Sequence, residues 1–191
     1  MQEKKFIVFN QYNVYINLSP KGYGYTYFAK RDFKKEQEII KTWNNKIINH
    51  QTVHCSMQID TNKHFIPKKW LGRYLNHSCD PNIYAKTGPD GFPIFFTLRD
   101  IKKGEEISYN YAMTEYRWIR NADENFVRCM CRTKKCKGRI LSFSQLTKKE
   151  KDYLIKSKIC SKYLMNHNIN KFFELSFLKL RNYNKNISLN R

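Results

Sequence analysis

Three cysteines within eight residues constrain the fold of this 191-residue chain more than any other feature: Cys129, Cys131 and Cys136. Thiolates this close in sequence can converge on one tetrahedral zinc ion, but three of them leave the fourth corner open. Cys79 is the best candidate for that corner, because it lies in a turn-rich segment that also holds His77. The alternative is three free, reduced thiols on a basic loop. We predict a zinc site held by the four cysteines.

The remaining cysteines, Cys55 and Cys160, are isolated in sequence and suit buried apolar positions. Charged residues interrupt the first nine positions, so no secretion signal is evident there. No apolar run approaches the roughly 20 residues that span a bilayer. We expect a soluble, intracellular protein with reduced thiols, nuclear if the source is eukaryotic and cytoplasmic otherwise.

The charge of the chain is strongly basic: 36 Lys and Arg stand against 16 Asp and Glu, a net charge of +20. Such a field attracts polyanions, so non-specific contact with nucleic acid, or with a protein bound to it, is one interpretation. The other is that Lys, Asn and Ile are abundant together, as AT-rich coding DNA would produce. No membrane partner is expected. The charge supports a class of partner without identifying one.

Hydropathy alternation predicts a mostly β fold of short strands, in one compact domain with turns every 8 to 12 residues. The predicted strands are 6–18, 25–29, 38–40, 53–59, 64–67, 83–86, 93–98 and 107–111. After Arg139 the pattern changes to helical spacing over 145–166, with a capping box formed by Thr147 and Glu150. A second helix is predicted over 170–183.

Three further segments carry chemistry. Lys21-Gly22-Tyr23-Gly24 lies between two predicted strands, where a Gly-x-Gly lets a backbone approach a ligand closely. Residues 76–82 (NHSCDPN) form a dense polar turn that also touches a ligand. Residues 104–111 (GEEISYNY) form a turn and a strand that ends in two tyrosines two residues apart.

The polar turn alone also allows nucleophilic catalysis, with Cys79 as nucleophile and His77 as base. Side chains two residues apart on an extended strand share one face, but in a segment this rich in turn residues we expect no such pairing. This interpretation is therefore disfavoured.

Together and in this order, the Gly-x-Gly loop, residues 73–82, residues 104–111 and the cysteine cluster resemble the SET-domain lysine methyltransferases with a post-SET zinc motif. The resemblance covers about residues 6–141. It is closest to small, stand-alone members of the family, because no cysteine array precedes the domain.

The resemblance implies a compact, mostly β fold in which the C-terminal signature threads under a loop as a pseudoknot, followed by a zinc loop and a helical tail. It divides the chain into a SET domain (5–115), a post-SET segment (116–141) and a C-terminal extension (142–191). It further implies that S-adenosylmethionine is bound by Lys21, Gly22, Tyr23, Arg73, Asn76, His77 and Ile140, and that Cys79, Cys129, Cys131 and Cys136 hold Zn²⁺.

By the same resemblance Tyr111 is the catalytic tyrosine, and Tyr109 occupies the position that tunes how many methyl groups are added. A tyrosine hydroxyl there leaves less room for a methylated amine, so mono- or dimethylation is expected. The implied substrate is a lysine of a histone, a nucleosome or another basic or chromatin-associated protein.

Two residues and one segment depart from the family pattern. Asn110 stands where Asp is commoner, and Arg132 stands where Gly is usual. Residues 57–60 lack the tyrosine that is often found there. Two other functions stay open: a catalytically silent SET-like module that binds chromatin or nucleic acid, and a zinc-dependent nucleic-acid-binding domain with aromatic stacking platforms.

Overall fold

The computed structural model describes residues 14–42, 46–48, 56–66, 74–117 and 127–166. Its strands are β1 Val14–Leu18, β2 Tyr25–Ala29, β3 Glu38–Lys41, β4 Lys46–Ile48, β5 Met57–Asp60, β6 Lys63–Ile66, β7 Asn76–His77, β8 Ile83–Thr87, β9 Pro93–Thr97, β10 Glu106–Tyr109, β11 Val127–Arg128 and β12 Arg139–Ile140. The helix α1 is Lys148–Lys156, and 3₁₀ turns span Tyr111–Met113, Phe143–Gln145 and Lys162–Met165. The predicted mostly β fold is confirmed.

The strands form small sheets rather than one large one. The central sheet has the order β1-β2-β10-β7, and two three-stranded sheets have the orders β3-β9-β8 and β4-β6-β5. Strand β10 pairs antiparallel with β2 on one side and parallel with β7 on the other, with Tyr109 opposite His77. Because the paired residues are 32 positions apart in sequence (109 − 77), this parallel pairing brings distant motifs together.

The core is one cluster of buried strand residues and aromatic rings. Tyr27, Tyr84, Phe65 and Phe95 are its largest fully buried side chains. Phe95 packs edge-on against Tyr109, with ring centroids 5.0 Å apart, a geometry that aromatic pairs favour. Tyr109, the first of the two motif tyrosines, thus belongs to the core.

The C-terminal extension packs on the domain. The backbone N–H of Phe143 donates to the carbonyl of Glu115 (2.8 Å), and that of Ser161 donates to Met113 (2.8 Å). The Tyr163 hydroxyl donates to the carbonyl of Thr114 at 2.5 Å. These bonds attach the extension to the turn that follows β10.

The predicted helix over 145–166 is only partly observed, because α1 ends at Lys156. The capping box is confirmed: Thr147 accepts from the N–H of Glu150, and the Glu150 carboxylate accepts from the N–H of Thr147. The helix ends where Lys158 adopts a left-handed φ of 54°, a conformation that terminates helices. A 3₁₀ turn then follows in place of further α-helix.

Several predicted elements lie partly or wholly outside the described residues: the beginning of strand 6–18, the beginning of strand 53–59, and helix 170–183. Within the described part of the chain, no helix is long and apolar enough to cross a membrane.

Candidate functional site

Four cysteine sulfurs converge in one cluster. The Sγ atoms of Cys79, Cys129, Cys131 and Cys136 all lie within 4.8 Å of one another, and the Cys79 and Cys129 sulfurs are 3.7 Å apart. Zinc–sulfur bonds of about 2.3 Å in a tetrahedron require sulfurs about 3.8 Å apart, so the donor set fits Zn²⁺. The predicted convergence of Cys79, from 50 residues earlier in the chain, with the later three is confirmed.

Hydrogen-bond donors surround these sulfurs. The backbone N–H of Lys137 donates to Cys79 Sγ at 3.5 Å, and that of Gly138 donates to Cys136 Sγ at 3.4 Å. Burial raises the pKa of Cys79 and Cys129. For Cys131, hydrogen bonds led by Thr133 outweigh burial and lower the pKa to about 6. A divalent cation would offset the mutual repulsion that four thiolates otherwise face.

The His77 imidazole joins this cluster to the end of β10. Its Nδ1 accepts from the backbone N–H of Tyr111 (3.2 Å), and its Nε2 lies 3.4 Å from Cys79 Sγ. Burial lowers the pKa of His77 to about 4, so the ring is neutral near pH 7. The expectation that His77 and Cys79 do not pair was wrong, because β7 ends at His77 and the chain bends there. A neutral imidazole in this position can hold the Cys79 thiol in place.

The two motif tyrosines lie next to each other, with ring centroids 5.0 Å apart. The Tyr111 hydroxyl donates to the carbonyl of Leu75 at 3.1 Å, just before the polar turn. The Tyr109 hydroxyl lies 3.2 Å from Thr114 Oγ1. Burial raises the pKa of both phenols, so both hydroxyls keep their protons near neutral pH.

A carboxyl group is buried beside these tyrosines. Glu115 is 2 % exposed, and its Oε1 accepts from the backbone N–H of Gln58 (3.0 Å) and from the Thr114 hydroxyl (3.3 Å). Burial raises its pKa to about 7. Gln58 returns the contact, because its Oε1 accepts from the N–H of Tyr116 at 2.9 Å. This reciprocal pair joins β5 to the segment after β10.

The Gly-x-Gly loop is folded by positive φ angles at Gly22 (79°) and Gly24 (97°), which glycine tolerates best. Its side chains converge on Glu106 of β10: the Tyr23 hydroxyl donates to that carboxylate, and Lys21 Nζ lies 3.1 Å from it. The loop is thereby attached to the strand that carries the two tyrosines.

The remaining predicted donor-site residues are also located. Asn76 Nδ2 donates to the carbonyl of Tyr25 at 2.9 Å, which ties β7 to the start of β2. Ile140 lies in β12, paired with Val127 and only two residues beyond Gly138. Arg73 lies outside the described residues.

Comparison with known proteins identifies this arrangement. Residues 24–112 match the family model described as the SET domain. The chain is 33% identical over 115 residues to the variant-silencing SET domain-containing protein of Plasmodium falciparum, covering 56% of this chain and 4% of the relative. It is 31% identical over 108 residues to histone-lysine N-methyltransferase SETDB2 of Xenopus laevis, covering 49% and 15%.

Over residues 24–112, just under half of the chain, the sequence is thus similar to a SET domain. The chain spans only a small part of the length of these relatives. A solved structure, KRYPTONITE in complex with mCHH DNA, an H3(1–15) peptide and SAH, has a TM-score of 0.55, 16% identity, and coverage of 69% of this chain and 30% of that chain. At this identity it supports the SET fold alone.

Two departures from the SET pattern have structural explanations. Asn110 caps the 3₁₀ turn that holds Tyr111, because its side chain accepts from the N–H of Ala112, a role that Asn and Asp share. Arg132 adopts a left-handed φ of 53°, so the backbone conformation that suits glycine is kept. Its guanidinium lies 3.8 Å from where a Cβ on Gly22 would be, beside the Gly-x-Gly loop.

Sequence analysis of the SET domain missed Glu115, Thr114 and Gln58. None lies in a recognisable motif, and a lone glutamate beside aromatic residues gives no sign of burial. Glu106 was within a quoted motif, but nothing in its spacing indicated contact with Tyr23.

Proposed function

We propose that this chain is an S-adenosylmethionine-dependent protein-lysine N-methyltransferase. The observation that carries the proposal is the parallel pairing of β10 with β7. It sets Tyr111 against His77 and Leu75, while Glu106 at the other end of β10 holds the Gly-x-Gly loop. The match to the SET domain, and relatives named histone-lysine N-methyltransferases, support this chemistry.

The methyl donor would be held between the Gly-x-Gly loop and the polar turn. By the family resemblance the residues are Lys21, Gly22, Tyr23, Arg73, Asn76, His77 and Ile140. S-adenosylmethionine supplies a methyl group on a sulfonium, and the SAH in a structure of the same fold is what remains after transfer. The loop glycines have positive φ angles and no side chains, so backbone atoms can approach such a ligand closely.

The protein's task is to position a neutral lysine amine. A free lysine has a pKa near 10.4, and a buried aromatic site lowers that value by removing water. Tyr109 and Tyr111 are buried or nearly so, and their rings lie side by side, so they can line a narrow slot for the aliphatic part of the side chain. Alignment of the reacting atoms within about 3–3.5 Å supplies several kcal/mol of the barrier.

The number of methyl groups added to the target lysine depends, in this proposal, on Tyr109. Its ring packs edge-on against Phe95, and its hydroxyl lies 3.2 Å from Thr114 Oγ1. A hydroxyl at this position occupies space and accepts a hydrogen bond from an amine N–H. Both effects disfavour a third methyl transfer to a dimethylated amine. We therefore expect mono- and dimethyl products.

The substrate class that we favour is a histone or another basic, chromatin-associated protein. The support consists of relatives named histone-lysine N-methyltransferases and the H3 peptide bound to a protein of the same fold. A nuclear location would follow from such a substrate. The net charge of +20 would place the enzyme near DNA rather than near the basic tail itself.

We assign the SET domain to 5–115, the post-SET segment to 116–141 and the extension to 142–191. The cysteine cluster joins the first two parts, since Cys79 comes from one and its three partners from the other. The bonds from Phe143, Ser161 and Tyr163 to residues 113–115 support a capping role for the extension. The zinc ion would serve to hold Cys79, and through it His77, in place.

A methyl-transfer assay tests the proposal. The full chain, purified with its metal retained, is incubated with isotopically labelled S-adenosylmethionine and recombinant core histones, nucleosomes or a cell lysate. We expect label on lysine, and a loss of about 100-fold in Tyr111→Phe, the scale on which misplaced reacting groups slow catalysis. Tyr153→Phe is the matched control, because Tyr153 is 61 % exposed on α1.

Donor binding without transfer to any substrate would favour the catalytically silent module instead, which the comparisons do not favour. Absence of donor binding would refute the proposed activity and leave the zinc-dependent nucleic-acid-binding domain as the alternative.

A further inference from the structure

A chain of three hydroxyl and carboxyl groups runs from the tyrosine slot into the core. Tyr109 Oη lies 3.2 Å from Thr114 Oγ1, and Thr114 Oγ1 lies 3.3 Å from Glu115 Oε1. All three residues are at most 2 % exposed. The slot wall is thus connected to a buried acid by one intervening hydroxyl.

The direction of these hydrogen bonds follows from counting protons. Thr114 has one hydroxyl proton, and it can donate to the Glu115 carboxylate or to the carbonyl of Tyr111 at 3.4 Å. A hydrogen bond to an ionised acceptor is roughly twice as strong as one to a neutral acceptor, so ionised Glu115 takes this proton. Thr114 then accepts from Tyr109, which leaves the lone pairs of the Tyr109 oxygen available to accept from a bound amine.

We propose that Glu115 is a positioning residue that orients the Tyr109 hydroxyl through Thr114 and thereby limits how many methyl groups a target lysine receives. The inference rests on the proposed methyltransferase function. An oriented Tyr109 accepts an N–H from an unmethylated or monomethylated amine. A neutral dimethylated amine has no N–H to donate, so it gains nothing from this acceptor.

Thr114 and Glu115 also make hydrogen bonds to residues other than Tyr109 and each other. These bonds make the orientation of the two residues rigid. Gln58 N donates to Glu115 Oε1 at 3.0 Å, and the Tyr163 hydroxyl donates to the Thr114 carbonyl at 2.5 Å. The C-terminal extension therefore supports the turn that determines where the Tyr109 hydroxyl points.

The test measures the ratio of trimethyl to monomethyl lysine by mass spectrometry, with the full zinc-retaining chain, S-adenosylmethionine and recombinant core histones. Thr114→Val removes the linking hydroxyl at almost unchanged volume. We expect the ratio to rise about tenfold, the lower range for a lost hydrogen bond to a charged group. Thr114→Ser restores the hydroxyl and is expected to keep the wild-type ratio.

A double-mutant comparison separates orientation from general loosening. In a Tyr109→Phe background no hydroxyl remains to be oriented, so Thr114→Val is expected to change the ratio less than about twofold. An equal shift in both backgrounds would overturn the proposal. Glu115→Gln keeps an oxygen for the Gln58 N–H and tests the same chain if Thr114→Val does not fold; its shift is expected in the same direction and smaller.

The pH dependence of the product ratio gives a second test. Burial raises the Glu115 pKa to about 7, so lowering the pH from about 8.5 to about 6 protonates it and should move the wild-type ratio toward that of Glu115→Gln. The titratable groups that face Glu115 or its neighbours are Tyr109, Tyr111, Tyr163, Asp60 and Cys160. Glu115→Gln retains all of them and should show no such movement.

The outcomes distinguish a failure of the positioning role of Glu115 from a failure of the proposed methyltransferase function. An active wild type whose ratio is unchanged by Thr114→Val and Glu115→Gln overturns this inference alone. A wild type that transfers no methyl group to any substrate overturns it together with the proposed function.

Discussion

Glu115 has a carboxyl group in an environment unfavourable to its charge. Its Oε2 is buried without a hydrogen-bond partner among the described residues, while Oε1 accepts from the Gln58 N–H and the Thr114 hydroxyl. Water stabilises a carboxylate far better than this site does, which is why the pKa rises to about 7. A protein keeps such a group only at a cost in stability, and this cost is measurable.

Replacement of Glu115 by Gln should stabilise the protein at alkaline pH. A folded-state pKa above the unfolded value means that the folded protein binds the proton more tightly, so stability falls as pH rises from about 4.5 to about 7 and then levels off. This difference in pKa corresponds to about 3 kcal/mol. Denaturant unfolding across pH 4–9 should therefore show wild type losing stability relative to Glu115→Gln.

Glu150→Gln is a control, because the Glu150 carboxylate should change the free energy of unfolding with pH in the opposite direction. The Lys137 ion pair and the Thr147 hydrogen bonds outweigh burial and lower the Glu150 pKa, so that carboxylate stabilises the fold above its unfolded pKa and loses this effect as pH falls. His77, whose pKa is also lowered, is present in every variant and cancels in the comparison. A Glu115→Gln curve parallel to wild type would contradict the buried-charge argument.

The limits of sequence prediction are clearest at individual residues. Spacing and motif order were enough to select Tyr109, Tyr111 and the four cysteines. In the structure the two tyrosines lie next to each other, and the four cysteines form a separate cluster. Glu115 could not be selected in this way, because its burial comes from β5 and the extension, which are 57 and 28 residues away from it. Burial of a polar residue by distant segments leaves no local pattern.

At the scale of elements, short strands and turns were predictable, but their partners were not. Alternation marks β10 as a strand, whereas its position between β2 and β7 depends on contacts over long sequence separations. The break after α1 was missed because Lys158 takes a left-handed φ that lysine rarely adopts. The pairing of His77 with Cys79 was missed because a two-residue strand has no alternation to extrapolate.

The zinc loop is the element whose integrity should depend on a ligand. One sulfur from the turn after β7 and three from residues 129–136 meet in this loop. We expect about one zinc ion per chain by elemental analysis, as a tetrathiolate site binds one. Cys136→Ser should lose the metal and lower the thermal midpoint, because structural zinc binding is part of the folding free energy.

Cys160→Ala is the matched control for the zinc loop. Cys160 is fully buried among the residues of the C-terminal extension and is not part of the four-sulfur cluster. It should retain the metal even if it lowers stability through lost packing. Full metal content in Cys136→Ser would argue against a four-cysteine site.

For the whole molecule, the dominant property is the net charge of +20. Much of it is local: residues 128–139 hold six Lys or Arg and no acidic residue. Lys135 and Lys137 in this stretch are paired with Asp80 and Glu150. Lys134 and Arg139 are exposed, so their charge faces solvent. A polyanion approaching the zinc loop would meet these two side chains directly.

If chromatin is the site of action, the chain should bind duplex DNA without sequence preference and with strong salt dependence. Fluorescence anisotropy with two unrelated duplexes should give equal affinities, and log K should fall linearly with log salt at about −0.9 per phosphate contacted. Lys134→Ala and Arg139→Ala should each reduce that slope by about one contact. Lys148→Ala is the control, since Lys148 pairs with Asp152 on α1 at 2.5 Å. Binding that ignores salt, or that Lys148→Ala weakens as much as Lys134→Ala, would mean that the charge reflects composition rather than a DNA-facing surface.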